Sequence, residues 1–365
     1  MKNPYQKLVV FAVIVAVIAI AIYKNVHKTP NPGEALKIGF AVPLTGWAAP
    51  YGDEFKRGAE LAVSELQDPS ISVVFEDTQL EVKKAVDAVT KLVNVDKVNA
   101  LAVSAYLEAA GSHQISDAKN IPLIVMWDSN PQLESMGNNV FAIGPWTPAS
   151  GEVTAEFSYN NLNAKKAAIF GYQQEWSVDV SKAFAEKFKS LGGTIVAQEM
   201  TAPGARDYRT NLSKIVTAKP DVIYVTVEDL FTSIKQAREL GYKGAIINSD
   251  TVDNELAAKN PEVFNGIYTS QVADPAFKET DHYIAAYKKK YGEDPKKVLY
   301  GTWGYDAVNL IVNASKNNKT IQEGLYATQN YKGASGTISF NKEGSSKTIP
   351  AMFTIKDGKV VKVEE

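Results

Sequence analysis

Few residues of this 365-residue chain have the types and spacing that covalent chemistry requires. There is no cysteine, which excludes disulfides, thiolate metal sites and a cysteine nucleophile. The three histidines, His27, His113 and His282, lie far apart, and none has metal-ligand spacing to another. No phosphate-binding glycine loop, Gly-x-Ser-x-Gly elbow or His-Glu-x-x-His stretch occurs. The chain instead places large aromatics and carboxylates just after apolar, strand-like runs. Trp47 and Tyr51 follow Leu36–Val42, Trp127 and Asp128 end the run from Pro122, and Asp250 comes directly after Ala245-Ile-Ile-Asn-Ser249. Aromatic faces attract cations, and a buried carboxylate favours a positive partner. An aromatic loop after a strand can wall a binding cleft or simply cover the sheet edge, and the groups that catalysis needs are scarce.

These residues need elements to hold them. From Phe55 the apolar residues recur at Ala59, Ala62, Val63 and Leu66, one face of a helix, with Asp53 and Glu54 expected at its cap and first turn. The opening segment is thus strand, loop, helix, and loops at the carboxyl ends of strands are where open α/β sheets bind ligands. The alternation continues. Strands are expected at 72–75, 100–103, 122–127, 167–170, 194–197, 222–227, 245–247 and 266–269, and helices at 80–95, 178–191, 208–217 and 230–240. Continuous apolar strands alternating with helices imply parallel sheets covered on both faces. The pattern occurs twice, with a break near Gly144–Pro148, so the expected fold is α/β with two doubly wound lobes. A helix at 305–315 and a hairpin at Asp357-Gly358 follow. The length suits two domains, and a net charge of -2 gives no reason to expect nucleic acid as a partner.

The first 35 residues stand apart. Lys2 and Lys7 precede an uninterrupted apolar run from Leu8 to Tyr23, followed by Lys24, His27 and Lys28. This is a secretory signal or a membrane anchor, with a polar tether to Ala35. Ala19-Ile-Ala21 offers a cleavage site, whereas the length of the run and the lack of a lipid-modifiable cysteine favour an uncleaved anchor. Either way the remainder is expected to be exported.

Several stretches together carry a resemblance. They are Thr45-Gly46, Tyr51-Gly52 and Gly58-Ala-Glu-Leu-Ala62, then Phe75-Glu-Asp77, Ile121-Pro122, Gln236-Ala-Arg-Glu-Leu-Gly241 and Gly333-x-x-Gly-Thr-Ile-Ser-Phe340. In this order the chain resembles the type I periplasmic binding proteins, in particular the branched-chain amino-acid receptors of ABC transporters, over Leu36 to Val363. The resemblance implies two lobes joined by three crossovers, near 146–150, 273–276 and 333–336, with a ligand cleft between them. Lobe 1 is then expected to hold residues 36–148 and 275–335, and lobe 2 residues 149–274 and 336–365.

It also implies a pocket. Tyr51, with Trp47 nearby, takes the place of a ligand-touching aromatic, Trp176 that of a platform in the second lobe, Asp250 that of the group receiving an α-ammonium, and Ser129 that of a hydroxyl contact. The serine pair that holds an α-carboxylate is replaced by Ala105-Tyr106, leaving Ser104 and the Tyr106 phenol as hydroxyls of that loop. Trp127 and Asp128 stand where small residues are usual, and Glu228 near a position that is often aromatic. Trp146 and Trp303 read as packing or hinge residues. The expected ligand carries an amino or other cationic group and a sizeable apolar part, with an ordinary amino acid as the family default. The expected function is extracytoplasmic solute capture and delivery to an ABC permease by a monomeric receptor. It needs no cofactor, and the membrane is reached through the N-terminal segment. A ligand-sensing receptor and, less favoured, an enzyme are the alternatives.

Overall fold

The computed structural model describes residues 35–364 apart from 228, 250–251, 253, 273–277 and 319. The expected anchor and tether at 1–35 lie outside the described residues but for Ala35, as do Glu228, Asp250 and the middle crossover. Among the described residues, no helix is long and apolar enough to cross a membrane.

Five strands, β1 (Leu36–Val42), β2 (Ile71–Asp77), β3 (Ala100–Val103), β4 (Leu123–Val125) and β5 (Val140–Ala142), form a parallel sheet in the order β2-β1-β3-β4-β5. A second sheet contains β6 (Lys166–Tyr172), β7 (Thr194–Thr201), β8 (Val222–Thr226), β9 (Ala245–Asn248) and β10 (Tyr268–Gln271). To these parallel strands the tail adds antiparallel β13 (Ala351–Lys356) and β14 (Lys359–Lys362), giving the order β14-β13-β10-β9-β8-β6-β7. A separate hairpin pairs β11 (Tyr331–Gly333) with β12 (Gly336–Ile338). The central strands are buried along their whole length because helices cover both sheet faces, which is why they read as continuous apolar runs. The hairpin expected at Asp357-Gly358 joins β13 to β14, with both turn residues at positive φ (50° and 70°).

Three features differ from the sequence reading. The first helix begins at Ala49, a turn earlier than expected, because Pro50 fits its first turn. Asp53 therefore pairs with Arg57 one turn on, at 2.9 Å, instead of capping. Glu54 is buried and accepts the backbone amides of Lys296 (2.7 Å) and Lys297 (3.2 Å). Secondly, the late helix runs from Val298 to Asn317 and lies directly against the first. A Cβ on Gly58 would stand 1.9 Å from the Gly301 carbonyl oxygen, and one on Gly304 2.1 Å from that of Phe55. Only glycine permits this approach, which carries Tyr300 and Trp303 into the first lobe. Thirdly, Ile338 and Phe340, assigned by sequence to the second lobe, pack in the core built around β1. Buried Asp306 accepts the Ala334 and Ser335 amides, both at 2.8 Å, and the Ser335 hydroxyl, which holds that hairpin on the first lobe. The chain then runs beside the first crossover, where Ala142 bridges Ser345 and Pro145 bridges Thr348.

Candidate functional site

The carboxyl ends of both parallel sheets face a common cavity of about 350 Å³. Most of the lining groups follow strands: Trp47 after β1, Ala105 after β3, Trp127 and Asp128 after β4, Gln174–Trp176 after β6, and Ser249 after β9. Ser270 and Gln271 close β10, and Tyr300 and Trp303 come from the helix at 298–317.

The Asp128 loop is fixed from behind. A Cβ on Gly144 would lie 2.5 Å from the Asp128 nitrogen, so the first crossover presses its backbone against this loop. Ser129 strengthens the contact by donating its hydroxyl to the Gly144 carbonyl at 2.8 Å. The Asp128 carboxylate accepts the Tyr106 backbone amide at 2.9 Å. That amide opens the helix Tyr106–Asp117, where the helix dipole favours an anion. On the facing sheet Glu175 opens the helix Glu175–Ser190, with Asp179 one turn on. Asn130 reaches across from the first lobe and donates its amide to Glu175 and, at 3.2 Å, to Asp179.

Three carboxyl groups thus meet, and no Lys, Arg or His among the described residues lines the cavity. Burial pushes the Asp128 carboxyl up to about 7, with the Asp179 charge acting in the same direction. Burial raises Glu175 as well, followed by the charges of Asp128 and Asp179. Burial also lifts Glu108, on the cavity wall, to about 7, although it accepts the Ser104 (3.0 Å) and Ala105 (3.1 Å) amides. A site so arranged is short of positive charge.

It also holds polar atoms without partners. Trp303 Nε1, Gln271 Nε2, Ser270 Oγ and Gln174 Oε1, on residues that line the cavity, are buried and have no hydrogen-bond partner among the described residues. Leaving such a group unpaired costs about 1–3 kcal/mol. Four such atoms lie on residues around one cavity.

Of the residues named from sequence, Trp47, Trp127, Asp128 and Trp176 line the cavity. Tyr51 stands behind that wall, its ring 5.1 Å from Trp127 and 4.7 Å from Tyr300. The Tyr106 phenol donates to Gln132 while its ring packs in the core, so it is the amide and not the hydroxyl that serves the site. Ser104 is fully buried beside Glu108. Ser129, also fully buried, is committed to the crossover. Trp146 sits in the crossover with Lys347 4.5 Å over its ring. Sequence reasoning missed Glu175, Glu108, Gln271, Tyr300 and the cavity-facing role of Trp303. Only Glu175 had a local sign, as the neighbour of Trp176 in a loop after a strand.

Comparison with known proteins agrees with this architecture. The sequence model of the family described as periplasmic binding protein matches residues 35–356. An "Amino acid binding protein" of Pseudomonas aeruginosa is 26% identical over 71% of this chain and 73% of its own length. The leucine binding protein LivK of Thermotoga maritima superposes with a TM-score of 0.79 at 27% identity, covering 90% of this chain and 98% of its own. LivJ of Streptococcus pneumoniae, a branched-chain amino acid transporter substrate binding protein solved with isoleucine, gives 0.80 at 26% identity over the same shares.

Proposed function

The chain belongs to the periplasmic binding protein family, and on that premise we propose that it captures a small amino compound between its lobes and presents it to an ABC permease. The observation that carries this reading is the cavity, walled by loops from both sheets, whose lining residues include several with unpartnered polar atoms. The similarity to amino-acid receptors supports the transport role, and the family's extracytoplasmic setting fits the apolar N-terminal run as an anchor. In this reading the receptor acts as a monomer. The crossovers at 144–148 and 345–348, paired side by side, form the hinge, and ligand favours the closed arrangement that the permease meets.

The test is a thermal-shift screen of amino acids, amides, polyamines and betaines, followed by solution scattering with each hit. A ligand at 100 times its dissociation constant stabilises by about 2.7 kcal/mol. A hit should also reduce the radius of gyration. An unchanged radius at saturation would refute capture by lobe closure.

A further inference from the structure

Resting on that reading, we propose that the ligand is a cation without a carboxylate: an amine whose second polar group is a neutral hydrogen-bond acceptor, as in an amino alcohol or an amino-acid amide. The place best suited to a ligand's carboxylate is already taken. Asp128 occupies the Tyr106 amide at the start of the helix at 106–117, so the protein has put its own anion where the dipole favours one.

The charge balance points the same way. Asp128, Glu175 and Glu108 line the cavity and Asp179 adjoins them, while no cation among the described residues lines it. An ammonium favours the ionised forms of these buried carboxyl groups, whereas the carboxylate of a zwitterion would oppose their ionisation in a partly desolvated space. An amine bearing a neutral second group brings the missing charge alone.

The unpartnered donors indicate where that second group goes. At the end of β10, Gln271 Nε2 and the Ser270 hydroxyl have no partner among the described residues, and on the facing wall neither has Trp303 Nε1. In the sheet β10, which carries Ser270 and Gln271, is separated from β6, which leads to Glu175, by β8 and β9. Three strand spacings put the donor end about 14 Å from the acidic end at backbone level, with side chains reaching inward from both. The ligand is therefore asymmetric, its ammonium towards Asp128 and Glu175 and its acceptor towards Ser270 and Gln271, with Trp127 and Trp176 beside the apolar part.

Calorimetry with matched pairs decides this: leucinol against leucine and phenylalaninol against phenylalanine, at neutral pH where each amine is protonated. We expect each amino alcohol to bind at least about tenfold more tightly than its amino acid, with scattering showing compaction. Asp128→Asn should shrink that preference, and Glu175→Gln, a conservative change near the surface of the helix at 175–190, tests the same charge independently. Amino acids binding as tightly as their alcohols, with compaction, would overturn the carboxylate-free ligand and leave the receptor reading standing. Binding by none of the four probes would also overturn this inference, the receptor reading then resting on the wider screen. An undiminished preference in both variants would overturn the role given to the acidic cluster.

Discussion

On the first-lobe side of the cavity, Tyr51, Trp127, Tyr300 and Trp303 form one connected aromatic group, with neighbouring ring centroids 4.7–5.4 Å apart. This group continues into the core beneath β1. On the second-lobe side, Gln174, Glu175, Ser270 and Gln271 reach the cavity as separate polar side chains, and Trp176 is only partly buried. One wall therefore owes its shape to the same packing that holds the lobe together. The other is polar and incompletely paired, and it gains most when something arrives. In the proposed receptor, shape selection would belong to the first wall, and charge and hydrogen-bond selection mainly to the second, joined by Asp128 across the gap.

The largest expected effect separates the walls directly. Tyr300→Ala should cost about 3–5 kcal/mol of stability as well as ligand binding, because a buried aromatic leaves a cavity among rings that cannot collapse onto it. Trp176→Ala should cost under about 1.5 kcal/mol of stability yet weaken binding by about tenfold or more. Urea denaturation and calorimetry on both variants check this. Equal stability losses would erase the distinction between a wall that is core and a wall that is surface.

A smaller effect concerns pH. Asp128 and Glu108 titrate near 7 in the folded chain against about 4 when unfolded, so between those values the folded state holds more protons. Stability must then fall as pH rises through that window, by about 1–3 kcal/mol once solvent relaxation is allowed for. Asp306, raised to about 6 by burial outside the cavity, contributes to the same slope. A bound cation should offset the loss, so ligand-induced stabilisation should grow as pH rises. Thermal melts from acid to alkaline pH, with and without ligand, measure both trends, and Asp128→Asn should flatten the first. A ligand effect that declines with rising pH would contradict a cationic ligand.

The contrast between the walls also explains what was legible in the sequence. Strand runs such as Val222–Thr226 declare themselves because burial on both faces demands continuous apolar residues. The Asp357-Gly358 turn does so because few residues adopt positive φ. Position after a strand marked Trp47, and the family resemblance added Trp127, Asp128 and Trp176 as candidates. Tyr300, Trp303 and Gln271 were not legible, since each reaches the cavity only through a tertiary arrangement: the glycine contact between two distant helices for the first two, the crossing of β10 for the third. Ser129 and Tyr106 carried suitable hydroxyls, but nothing local reveals that those hydroxyls bind Gly144 and Gln132 instead.

Trp47 provides the smallest effect and the finest test of the comparison. It belongs to the first-lobe wall by sequence, yet it is 59% exposed and touches Tyr51 only edge-on at 6.4 Å. Removing it should therefore leave stability within about 0.5 kcal/mol of the parent, as for other exposed positions. Lobe closure over a ligand would cover part of the indole. If about 40 Å² is buried at about 25 cal/mol per Å², the gain is roughly 1 kcal/mol, or about fivefold in affinity. The gain exists only in the closed state, so Trp47→Ala should speed dissociation about fivefold and leave association nearly unchanged. Stopped-flow fluorescence of the remaining tryptophans separates the two rates. A slower association with unchanged dissociation would make Trp47 part of the open site's capture surface, and would move it from the rim of the closed cavity to its entrance.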